Sequence, residues 1–89
     1  MKKKIAVLVR ERQAEALRMA VGLTLADDEV TVFVMGKKLP DSGNIGLSLE
    51  MLQEMGAKIY SDNPENSLAF MSIADIAVKL PEFDVAVPY

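Results

Sequence analysis

Two short apolar runs, Ile5-Ala-Val-Leu-Val9 and Val30-Thr-Val-Phe-Val34, set the strongest limit on what this chain can fold into. Each is five residues long, rich in β-branched side chains, and shows little alternation of polar and apolar positions. A run of that kind suits a strand covered on both faces, the arrangement of a parallel sheet. Between the two, from about Gln13 to Ala26, the period changes to that of a helix. Leu17, Ala20, Val21 and Thr24 share one face, while Glu11, Glu15, Arg18 and Gly22 share another. Strand, helix and strand make a right-handed βαβ unit.

The helix carries a third stripe, Ala16, Met19 and Leu23. Its apolar arc is therefore wider than a helix covering a sheet requires. Two readings are open: the helix also packs on a partner chain, or Met19 and Leu23 are partly exposed. The chain's size bears on that choice. Its 89 residues form one domain, 1–89, and half of them are apolar. A domain this small buries only ~60–65% of the surface of its unfolded chain. Oligomerisation is the simplest way to hide the remainder.

Further along, Gly36 to Gly46 holds three glycines and a proline without clear periodicity and reads as a long loop. Leu47 to Met55 reads as a second helix, with Leu47, Met51, Leu52 and Met55 inward and Gly56 as a left-handed C-terminal cap. Ala57 to Ser61 is a third, less apolar strand. Asp62 to Asn66 is turn chemistry, in which Asn63-Pro64 suits the cap of one short helical turn. Ser72 to Leu80 is the last helix, with Ile73, Ile76, Ala77 and Leu80 on its apolar face. Ser72 and Asp75 frame its start, and Pro81 stops it. Asp84 to Val87 closes a β-α-β-α-β-α-β order. The expected fold is α/β, a three-layer α/β/α domain with a mainly parallel four-stranded sheet.

Several functions are disfavoured by what the chain lacks or how its charge is distributed. There is no cysteine and no histidine, which removes the thiolate nucleophile, the imidazole base and the two best zinc ligands. No Ser-His-acid triad can form. No cofactor or metal is expected, and Met51, Met55 and Met71 fit core or interface positions. The net charge of −3 conceals +4 over the first twenty residues and −7 over the rest. Only five aromatics are present, none among the basic residues, so nucleic-acid binding is disfavoured. The lysines before Ile5 read as a solvated lead-in to the strand. No run approaches the length of a secretory core or a membrane span, and a soluble, cytoplasmic protein is expected.

In open α/β sheets ligands bind beyond the carboxyl ends of the strands, where the strand order reverses. That rule selects Arg10 and Arg12 after the first strand. It also selects Lys37, Lys38, Ser42 and Asn44 in the glycine loop, Ser61 and Asn63 after the third strand, and Tyr89 at the end. Arg10 and Arg12 stand at a helix start, where a base is unfavourable unless an anion is bound. The plainer reading, a pairing with Glu11, Glu15 or an acid of another chain, is preferred. Gly43-Asn-Ile-Gly46 could offer backbone N–H groups to an anion, with Lys37 or Lys38 supplying charge. Its spacing matches no phosphate-loop or dinucleotide motif, so a polar connector is preferred.

The opening Lys-Lys-Ile-Ala-Val-Leu-Val, the helix around Ala-Leu-Arg-Met-Ala-Val-Gly-Leu-Thr-Leu-Ala and the strand Glu-Val-Thr-Val-Phe-Val-Met form a linked pattern. Together with Leu-Glu-Met-Leu, Gly-Ala-Lys-Ile-Tyr and Phe-Asp-Val-Ala-Val, the chain resembles the DsrE/DsrF-like family over nearly its whole length. The resemblance implies a parallel α/β/α domain that associates into dimers, trimers or hexamers through its helices. In the family's sulfur-relay members a cysteine near the end of the third or fourth strand carries a persulfide. The matching stretch here is Ile59 to Pro64, with Ser61 in the cysteine's place. A serine hydroxyl cannot hold a persulfide, so sulfurtransferase activity is not carried over. The chain is also shorter than typical relatives between the third strand and the last helix. Three functions are expected to compete. The first is a non-catalytic, self-associating domain that binds a small anionic ligand or a protein partner. The second is a scaffold subunit for a cysteine-bearing paralogue. The third is a thiol-independent enzyme using Ser61, Asp62 or Tyr89.

Overall fold

The two apolar runs lie side by side at the centre of a parallel sheet. The computed structural model describes residues 3–26, 29–36, 43–63 and 68–88. Strand β1 (Lys4–Val9) is followed by helix α1 (Gln13–Leu25), β2 (Glu29–Val34), α2 (Gly43–Glu54) and β3 (Lys58–Ser61). Then come β4 (Ala69–Phe70), α3 (Ile73–Lys79), a 3-10 turn at Leu80–Glu82 and β5 (Val85–Pro88). The sheet has five strands in the order β4-β3-β2-β1-β5, and all its pairings are parallel. The chain steps outward from β1 to β4, then returns through α3 to place β5 on the other side of β1. The reversal of strand order falls between β1 and β5.

The period-two alternation within each strand divides the core. Ile5, Val7, Val9, Val30, Val32, Val34 and Ile59 pack beneath α1 and α2. Ala6 and Phe33 face the other way and meet Ile76 of α3, with Leu8, Tyr60, Leu80 and Phe83 around them. Both faces of β1 and β2 are thus covered, which is why neither run alternates. Asp84 anchors the return: its Oδ2 accepts from the Lys4 N–H at 2.8 Å, and its own N–H donates to the Lys4 carbonyl at 2.8 Å.

Helices α1 and α2 pack on one another as well as on the sheet. Met19 and Leu23 are half-buried against this core, so the wide arc of α1 is used within the chain. α2 starts four residues before the expected Leu47, and Gly43 to Gly46 form its first turn rather than the end of a loop. The earlier start fixes the inward stripe as Ile45, Leu49 and Leu52. Leu47 and Met51, expected inward, are exposed, Leu47 by 58%. The helix ends as expected: Gly56 has φ +84°, its N–H donates to the Gln53 carbonyl at 3.1 Å, and the Ala57 N–H donates to the Leu52 carbonyl at 3.0 Å. This pair of bonds is the Schellman arrangement.

The expected four-stranded sheet gains a strand in β4, whose two exposed residues are too few to show a pattern. It pairs with β3 at Tyr60↔Ala69 and Ser61↔Phe70. α3 is capped by Ser72, whose Oγ accepts from the Asp75 N–H at 3.2 Å. Of its expected apolar face only Ile76 is buried and Leu80 half-buried, whereas Ile73 and Ala77 are exposed. The helical turn expected at Asn63-Pro64 extends outside the described residues. Among those residues no helix is long and apolar enough to cross a membrane.

Candidate functional site

The carboxyl ends of β2 and β3 are tied together by their own loops. The Gly36 N–H donates to Asp62 Oδ1 at 2.8 Å, and Asn63 Nδ2 donates to the Gly36 carbonyl at 3.3 Å. Gly36 has φ +82°, a left-handed conformation that glycine adopts without penalty. Ser61 is wholly buried, and its Oγ accepts from the Asn63 N–H at 3.1 Å. The structure therefore brings Ser61, Asp62, Asn63 and Gly36 into one hydrogen-bonded turn. A buried hydroxyl engaged in this way braces the end of a strand and is poorly placed to attack a substrate.

The other expected site residues are dispersed. Arg10 follows β1 and Arg12 precedes α1 as its N-cap; both are exposed, and Arg12 makes no side-chain capping bond. Gln13, the first residue of α1, has its Nε2 buried without a partner. Asn44 lies in the first turn of α2. Lys37, Lys38, Ser42 and Tyr89 lie outside the described residues. Among the described residues no group of three or more acidic side chains could hold a metal ion.

Two hollows lie at the opposite, amino end of the sheet. One, of about 380 Å³, is bounded by Thr24, Val30, Met55 and Ala57 between the ends of α1 and α2. Glu29, Thr31 and Lys58 also line it, and the Thr24 hydroxyl there donates to the Ala20 carbonyl at 2.9 Å. The other, of about 70 Å³, opens beneath the end of α3. Lys4, Glu29, Thr31, Lys58 and Tyr60 reach it from the sheet, and Lys79, Glu82 and Phe83 from the helix and the turn after it. The register explains the gathering. Lys4 pairs with Glu29 and Thr31 with Lys58, and all four share the α3 face.

Aromatic packing gives this second cleft a fixed wall. Phe33 stacks on Tyr60 with ring centroids 5.9 Å apart and meets Phe83 edge-on at 5.8 Å. Thr31 forms part of the floor and is only 7% exposed as a residue, with its hydroxyl opening to the cleft rather than sealed in the core. Among the described residues, none of the three lysines has a carboxylate partner in ion-pair range. The sequence reading passed over these residues by treating the amino-terminal lysines as a lead-in. A signal was present: Thr31 is the one polar residue inside the second apolar run.

Comparison with family models, curated proteins and solved structures finds no match to this chain.

Proposed function

We propose that this chain is a non-catalytic DsrE-like domain that self-associates, with surfaces that bind a small anionic ligand or a protein partner. The observation that carries the reading is the uncovered apolar surface on the α3 side. Among the described residues one seven-residue helix serves that face of the sheet. Val78 is 76% exposed, and Ile73 and Phe70 are each 60% exposed. Between Ile73 and Val78, α3 presents Ala74 and Ala77 as well, with Asp75 as the only charge. An apolar surface of that kind on so small a domain is a mark of association. A second copy is the occupant that best matches a surface with so little charge to select another partner. The family resemblance supports the same reading, as it implies association through helices into dimers, trimers or hexamers.

Sedimentation velocity of the full chain, from micromolar to submillimolar concentration, tests the proposal. An oligomer that dissociates in Val78→Glu supports it, and a monomer throughout that range rejects it. A scaffold role beside a cysteine-bearing paralogue is the second reading, favoured by the buried, bonded Ser61 in the cysteine's place. It predicts co-purification with that paralogue. The thiol-independent enzyme gains nothing from a Ser61 hydroxyl already engaged by its own turn.

A further inference from the structure

We infer that the cleft beneath α3, at the amino end of the sheet, binds a small oxyanion of the phosphate class. Three features converge on this ligand, and none depends on self-association. Thr31 lines the cleft and supplies a hydroxyl that opens to it, since it is not among the fully buried polar atoms left without a partner. Lys4, Lys58 and Lys79 line the same cleft from three different elements, none held in an ion pair among the described residues. Tyr60 adds a side chain steadied by its stack on Phe33.

Size and charge narrow the class. About 70 Å³ is several times the ~10–15 Å³ that one water requires. That space suits a tetrahedral anion and is too small for a nucleoside. Three lysines against Glu29 and Glu82 leave the lining one unit positive. The donors on the lining match the several acceptor oxygens of phosphate, and charge-assisted hydrogen bonds are the strong ones. The two glutamates limit affinity by repulsion, so neutralising Glu82 strengthens binding.

The test is a titration of the full isotope-labelled chain with inorganic phosphate, followed by amide chemical shifts. Shifts centred on residues 4, 29–31, 58–60 and 79–83 are expected. Each lost charge-assisted contact is worth about tenfold in the dissociation constant, so Lys58→Gln with Lys79→Gln weakens binding at least that much. Glu82→Gln tightens it about threefold, in keeping with one unit of exposed charge at short range. Arg18→Gln removes one positive charge from α1, as each lysine substitution does from the cleft, and serves as control; it changes binding less than about twofold under near-physiological screening. Thr31→Val keeps the side chain's shape and tests the floor of the cleft where a lysine variant could disturb folding. Shifts scattered over the basic surface, or equal losses in Arg18→Gln and the lysine pair, overturn the inference. So does saturation by phosphate with unchanged affinity in Thr31→Val.

Discussion

Replacing Thr31 by valine exchanges one hydroxyl for a methyl group and leaves strand geometry alone, since both residues are β-branched. The residue is 7% exposed, but its hydroxyl lines the cleft and is not among the fully buried polar atoms left without a partner. Water in the 70 Å³ cleft satisfies it, so no cost of an unsatisfied group is relieved by the substitution. The variant should therefore match the parent within about 0.5 kcal/mol in phosphate-free buffer. For a domain of this length that keeps Tm within about 4 °C. Urea unfolding should show a nearly unchanged midpoint and slope. Phosphate should then open a gap in the parent's favour, because a ligand bound more tightly by the folded parent stabilises it by mass action. A loss of about 1 kcal/mol on substitution would mean that the hydroxyl holds the fold together. The argument for a ligand at the floor of the cleft would then fail.

Other substitutions test how the fold is held. Gly56→Ala should destabilise by about 1 kcal/mol, because the residue stands at φ +84° and a Cβ there meets open space. Backbone strain alone is responsible, so Gly56→Asn should cost less in the same thermal unfolding assay. Leu52→Ala should cost about 2–5 kcal/mol from a fully buried site. Leu47→Ala, on the exposed side of the same helix, should change stability by less than about 0.5 kcal/mol in monomeric protein; equal losses would mean that α2 is turned the other way. Ser61→Ala removes the bond between the Asn63 N–H and Ser61 Oγ and should cost about 0.5–1.5 kcal/mol, read by urea unfolding. A stability unchanged by that substitution would free Ser61 for the enzyme reading.

What could be read from the sequence follows the depth of burial. β1 and β2 are enclosed on both faces, so their side chains had to be apolar throughout and the strands were plain. α1 was placed well for the same reason, and its wide arc is explained by α2, a neighbour that its own pattern could not name. Where burial is partial the pattern misled. Leu47 and Met51 form an apolar pair at helical spacing on the exposed side of α2, and they displaced Ile45 and Leu49 from the expected inward stripe. β4 has no inward residue and so left no trace. The candidate site was sought at the carboxyl edge on a rule about α/β sheets. There the Gly36, Asp62 and Asn63 bonds join the ends of β2 and β3, while at the amino edge the end of α3 roofs a cleft. Lys4, Thr31, Lys58 and Lys79 meet there through strand register and the return of the chain, neither of which is written in local spacing.

The claim on which the function rests is that the apolar side of α3 joins one copy of this chain to another. Sedimentation of the parent beside Val78→Glu tests it directly. The parent should sediment as a multiple of 9.7 kDa, and the variant, with its fold intact by circular dichroism, should return to 9.7 kDa. A parent of 9.7 kDa at every concentration, or an oligomer that survives Val78→Glu unchanged, would contradict it.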